Sequence, residues 1–179
     1  MNALGIVELN SIAKGIEITD IMLKSAELEV IYSRHICPGK YMIILTGDVG
    51  SVDEAVETIK KLDNKYILAT FILPNADERI INGINKKYNN IEIKAIGVME
   101  FTSVACGIIA LDKALKNGEV QLVKFTLGNL IGGKCYFIIT GVLSSVSESM
   151  KVAEDLIDSK KIIHSAIIPS PDKNLISCL

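Results

Sequence analysis

The chain has 179 residues and a net charge of −2, with acids and bases interspersed, so no basic stripe offers a footing for nucleic acid. It is 49% hydrophobic but only 5% aromatic, without tryptophan, the composition of a packed aliphatic protein. No apolar run reaches the roughly eighteen residues a membrane span needs, and "MNALGIVELNS" lacks the basic start and long apolar core of a secretory signal, so a cytosolic chain is expected.

In chain order, "ALGIVEL" from Ala3 is a short apolar run bounded by polar residues, which suits a strand. Ser11 then stands where a helix N-cap belongs, and Ile12, Ile16, Leu23 and Ala26 mark one face of the helix that follows. "EVIYSRH" and "YMIILTG" read as strands on either side of a "CPGK" turn, where proline fixes the backbone and glycine permits the return. Val52, Ala55, Val56, Ile59 and Leu62 form a second helical stripe, and "KYILATFIL" is the closing strand.

The same order then begins again. "AIGVMEFTSVACGIIALDKALKNGEVQLV" from Ala95 aligns without a gap to the segment from Ala3, pairing Gly5 with Gly97, Glu8 with Glu100, Ser11 with Ser103, Asp20 with Asp112 and Lys24 with Lys116. After a two-residue insertion, "GKCYFIITG" at Gly133 matches "GKYMIILTG" at Gly39, and "AIIPSPDKNL" faces "FILPNADERI". This is a tandem duplication, joined by the polar stretch "NKKYNNIEIK" and divided at 1–92 and 93–179. A unit of strand, helix, strand, strand, helix, strand makes a small antiparallel sheet with helices, an α+β fold that hosts regulators, enzymes and structural proteins alike.

The four cysteines, Cys37, Cys106, Cys135 and Cys178, contain no CxxC pair and no disulfide framework, so free thiols are expected in a reducing compartment. Cys106, on a helix, and Cys135, on a strand, read as packing residues, and Cys178 lies next to the chain end. Cys37 is solitary in its turn, and as a lone thiol it reads first as an ordinary small, partly buried residue. His35 and His164 are the only histidines, with no local arrangement of base and nucleophile, so a cysteine enzyme lacks support.

"MLKSAELEV" with its echo "ALKNGEVQL", the strand-turn "LTGDVGSVDEAV" and the proline-bounded ends of both copies resemble the shell proteins of bacterial microcompartments, in the tandem-domain form. "GIVELNSIAKGIEITDIMLKSAELEVIYSRHICPGK" and "IGGKCYFIITG" are similar to the iron–sulfur type from propanediol-utilisation compartments. The resemblance implies two BMC domains with a ferredoxin-like-related sheet, a homotrimer forming a pseudohexameric tile, and residence in a microcompartment shell in the cytoplasm. It also implies a non-enzymatic role, with other shell proteins and encapsulated redox enzymes as partners and a [4Fe–4S] cluster in the central pore.

On that resemblance, Cys37 is the metal ligand, one per subunit and three on the three-fold axis, leaving one iron of the cluster without a protein thiolate. Pro38, Gly39, Ile131 and Gly132 would line the pore, the last two from "TLGNLIGGK", the cysteine-free turn of the second copy. Peptide N–H groups near the sulfurs would help to stabilise an anionic cluster. Lys24 and Lys116 would make tile-edge contacts, although each is otherwise a solvated helix-end lysine complementing the macrodipole. The family's usual arginine in the neighbouring edge element is Asn75 or Ser170 here. Two other functions stay open: a tile whose pore carries metabolites without a cluster, and a tandem small-molecule-binding regulatory module.

Overall fold

The computed structural model describes residues 3–62, 65–129 and 131–179. The first copy contains β1 (Ala3–Leu9), α1 (Ile12–Ser25), β2 (Glu29–Ile36), β3 (Lys40–Gly47), α2 (Val49–Lys60) and β4 (Ile67–Leu73), and a short helix α3 (Glu78–Ile84) follows. The second repeats the series with β5 (Ala95–Phe101), α4 (Val104–Asn117), β6 (Val120–Leu127), β7 (Cys135–Gly141), α5 (Leu143–Leu156), β8 (Ile162–Ile168) and α6 (Lys173–Ile176). Each copy forms a four-stranded antiparallel sheet, in the orders β2-β3-β1-β4 and β6-β7-β5-β8.

The duplication extends to irregularities of the backbone. The register of β2 on β3 slips between Val30 and Tyr32, and that of β6 on β7 slips between their counterparts Leu122 and Lys124. Ser11 caps α1 by accepting from Lys14 N–H, while Asp48, Asp77 and Asp172 cap α2, α3 and α6 in the same manner. Ser103 occupies the cap position of α4 without that side-chain bond.

In the first unit the core joins Val7, Leu9, Ile43 and Leu45 of the sheet to Ile18 and Met22 of α1 and Ala55, Val56 and Ile59 of α2. The buried face of α1 consists of Gly15, Ile18, Thr19 and Met22, whereas of the stripe expected from the sequence Ile12, Ile16 and Leu23 face outward and Ala26, at the C-cap, alone packs against the core. Gly15 determines this: a Cβ there would sit 2.3 Å from the Tyr41 ring, so the helix approaches the sheet along its glycine. Leu62 likewise lies beyond the end of α2 and is exposed.

Two compact units divide at Ala76/Asp77, and the family of contacts made by α3 with α4 and β6 places that helix in the second. The sequence-based division at 92/93 assigned the same segment to the first copy. Its signals, an aspartate cap followed by Ile80 and Ile84, mark a helix but carry no information on which sheet receives it.

Candidate functional site

The hairpin between β2 and β3 is three residues long, Cys37-Pro38-Gly39, with a cis peptide before the proline. Ile36, nearly fully buried, anchors its base, whereas Cys37 is half-buried and Pro38 and Gly39 are exposed at the tip. Gly39 has φ of 89°, a conformation that suits glycine, and a Cβ built there would meet nothing within 4 Å. The tip thus presents one thiol beside open space.

Its immediate charges are already engaged. Lys40 Nζ lies 2.6 Å from Glu8 Oε1, a carboxylate with only 8% of its side chain exposed, and Arg34 stacks over the Tyr32 ring at 5.9 Å. His35 is exposed on β2. Gly39 N–H donates to Ile36 O at 3.1 Å, and Pro38 has no N–H, so neither of these two residues offers a peptide donor to a ligand on the sulfur. That removes the Gly39 peptide from the donors expected to support an anionic cluster.

The counterpart loop in the second copy has a different backbone. Gly128, Gly132 and Gly133 all take positive φ, with Gly128 N–H donating to Lys134 O at 2.8 Å and Gly133 N–H to Gly128 O at 3.1 Å. Ile131 is half-buried and Gly132 exposed in it, while Leu130 lies outside the described residues. Each loop therefore has one glycine, Gly39 or Gly132, with open space at its Cβ position, and one loop alone carries a thiol.

The remaining cysteines differ in environment. Cys135 is fully buried against Gly107, and burial pushes its thiol far above the usual range. Cys106 is half-buried on α4, and Cys178 is exposed, its Sγ donating to Asn174 O at 3.3 Å. Among the described residues no chain gathers three or more histidine, cysteine, aspartate or glutamate side chains into a metal site. The donor set fits a cluster only as one thiolate per subunit, supplied by several copies.

A second constellation, which the sequence did not disclose, surrounds α3. Arg79 donates to both carboxylate oxygens of Asp77 at 2.7–2.8 Å, to Leu115 O at 2.7 Å and to Val120 O at 2.7 Å. Asp77 N–H donates to Asp112 Oδ1 at 2.9 Å, and Asp112 Oδ2 accepts from Lys116 at 2.7 Å. The hydrogen bonds from Arg79 hold the Asp77 carboxyl below its usual range, and Asp77 in turn raises Arg79. Lys24 has a simpler setting, exposed and paired with Asp20 at 2.6 Å. Both predicted edge lysines thus stand in the last turn of their helices, in different company.

The chain carries two copies of one α+β unit, and the short helix α3 is seated against α4 and β6. The chain belongs to the BMC-domain family, whose domain matches residues 3–76 and 95–171, and it is a structural, non-enzymatic shell protein of a bacterial microcompartment. It is 37% identical over 97% of its length to the bacterial microcompartment shell protein PduT of Citrobacter freundii, covering 95% of that protein. A crystal structure of a microcompartments protein from Desulfitobacterium hafniense DCB superposes with a TM-score of 0.92 at 37% identity, over 99% of both chains. A fused, permuted hexameric shell protein of the RMM microcompartment shares the fold, with a TM-score of 0.61 at 21% identity, over 86% of this chain and 82% of that one. The carboxysome assembly protein CcmO of Synechocystis is 22% identical over 93% of this chain, which spans 60% of CcmO.

Proposed function

We propose that the protein is a homotrimeric shell tile whose three Cys37 thiolates hold one [4Fe–4S] cluster on the three-fold axis, for electron transfer across the shell or delivery of clusters to redox enzymes inside. The observation that carries this reading is the half-exposed thiol at a hairpin tip with open space at its glycine, present in one copy and absent from the other, where Ile131 takes the equivalent place. Alternating copies around an axis bring three thiols together, where six copies of the first unit would bring six. Pro38, Gly39, Ile131 and Gly132 line the pore, and Lys24 and Lys116 stand at the tile edges toward neighbouring shell proteins. A bound cluster would supply one-electron chemistry. The chain's part is to hold it through sulfur and to leave the fourth iron open.

Anaerobic purification with iron, sulfide and absorption measurements tests the assignment. A brown protein with about four irons and four sulfides per trimer is expected, and Cys37→Ala should abolish the colour while the oligomer persists. Colour retained in Cys37→Ala overturns the ligand assignment. A colourless trimer reconstituted under the same conditions leaves a metabolite-conducting tile.

A further inference from the structure

The segment that follows α3 is held against β6. Lys86, at φ of 57°, ends the helix in the left-handed region, with Lys86 N–H donating to Gly83 O at 3.0 Å and Lys87 N–H to Asn82 O at 2.8 Å. Tyr88 then ties the segment down. Its hydroxyl lies 3.1 Å from Gly83 O and 3.2 Å from Phe125 O, and it accepts from Phe125 N–H at 3.1 Å. Between this segment, α3 and β6 lies a small cleft bordered by Arg79, Asn82, Lys87, Asn89 and Gln121 and by the buried Leu122. It leaves about 40 Å³ for the centres of water-sized molecules, room for about three waters or one tetrahedral oxyanion.

We propose that this cleft binds a phosphate group, free or at the end of a larger molecule, through Arg79, Lys87 and the side-chain amides of Asn82, Asn89 and Gln121. The site lies beyond the shell-tile reading and does not depend on the cluster.

Three observations set the sign of the ligand. No carboxylate borders the cleft. Lys87 has no ion-pair partner among the described residues. Arg79 commits four of its five N–H hydrogens to Asp77, Leu115 O and Val120 O and keeps the second hydrogen on Nη1. The acceptors that would repel an anion are occupied: at the end of α3, Ile81 O takes Asn85 N–H at 3.1 Å, and Asn82 O and Gly83 O take the two lysine N–H groups. What remains is an ammonium, one guanidinium hydrogen and three amides, each of which can turn its NH2 inward. Asp77 offsets most of the charge on Arg79, so Lys87 carries the larger part of the attraction. Donors drawn from three separate elements suit an anion with several oxygens better than a single-atom halide.

The duplication does not repeat this chemistry. Asn174 stands in the place of Arg79, and Glu29 stands in the place of Gln121, where its carboxylate would repel the ligand. The exchange of Gln121 for that acid is therefore a change the fold already accepts in its other copy.

Titration of the full chain into inorganic phosphate and into glycerol phosphate, followed by phosphorus NMR relaxation at an ionic strength held constant with chloride, tests the site. Saturable broadening is expected, and the tighter of the two probes tells whether the cleft takes the free anion or a terminal phosphoryl group. Lys87→Gln and Gln121→Glu, both at exposed positions, should each weaken binding by about tenfold or more, with melting temperatures in chloride unchanged. Phosphate should raise the melting temperature of the wild type and of neither variant. Binding that survives both substitutions, or broadening that fails to saturate with either probe, overturns the proposal.

Discussion

Beside Gly15 the first unit places the ring of Tyr41; beside Gly107 the second places the thiol of Cys135, and either glycine's Cβ would come within 2.3 Å of what it faces. The space is the same and its filling is not. In the first unit Tyr41 reaches Ser33 at 3.1 Å, Ser33 reaches Thr19 at 2.9 Å, and Thr19 donates to Gly15 O at 2.8 Å, which satisfies every hydroxyl in one direction. In the second, Leu111, Phe125 and Cys135 occupy those positions as an apolar cluster. A duplicated core can thus exchange a hydrogen-bonded chain for hydrocarbon when volume is traded between neighbours, whereas the close helix-to-sheet approach at the glycine is kept in both.

The most severe way to test that comparison is Gly15→Ala. The added methyl would strike several atoms of a stiff ring and break the hydroxyl chain behind it, so a loss of about 3 kcal/mol in urea unfolding is expected. Gly107→Ala, which meets chiefly the Cys135 sulfur, should cost about half as much. Equal losses would mean that the two fillings are mechanically alike.

Arg79→Ala should follow, at about 2–3 kcal/mol, because it leaves Leu115 O, Val120 O and the Asp77 carboxylate without their donor. The same clasp predicts an acid dependence. The folded state depresses Asp77 below its usual value of 3.8, so this contribution is complete above that pH and is lost as pH falls through the lower, folded value. Unfolding midpoints measured from pH 5 downward should decline more steeply in the wild type than in Arg79→Ala, and parallel declines would remove Asp77 from the explanation.

The smallest contrast lies between two matching ion pairs. Lys40→Ala strands Glu8, whose side chain is 8% exposed, and should cost about 2 kcal/mol. Lys134→Ala removes a partner from Glu100, 36% exposed at 3.0 Å, and should cost less than about 1 kcal/mol. Denaturation of both variants at one protein concentration makes the comparison, since assembly would otherwise contribute to stability.

The order of strands and helices was legible because each copy repeats its apolar runs, caps and turn, and two imperfect statements of one pattern correct each other. Ser11 and the "CPGK" turn were readable as local chemistry. The inward face of α1 was not, because the periodicity of Ile12, Ile16 and Leu23 is as regular as that of a core stripe; what turns it outward is a glycine and the tyrosine opposite, a long-range fit. Arg79 was missed for a similar reason: its acceptors are backbone carbonyls far along the chain, which no side-chain pattern encodes. At Cys37 the sequence located the thiol and its turn, while the use of Gly39 N–H within the turn emerges only from coordinates.

Burial of Cys135 has a chemical consequence as well as a mechanical one. A thiol driven toward its protonated form, with no path to solvent, supplies no nucleophile to peroxide or to an alkylating reagent. Oxidation and labelling are thereby directed to the accessible sulfurs, foremost Cys178 at the chain end and Cys37 at the hairpin tip, while the sulfur in the second unit's interior keeps its reduced state without any partner to protect it.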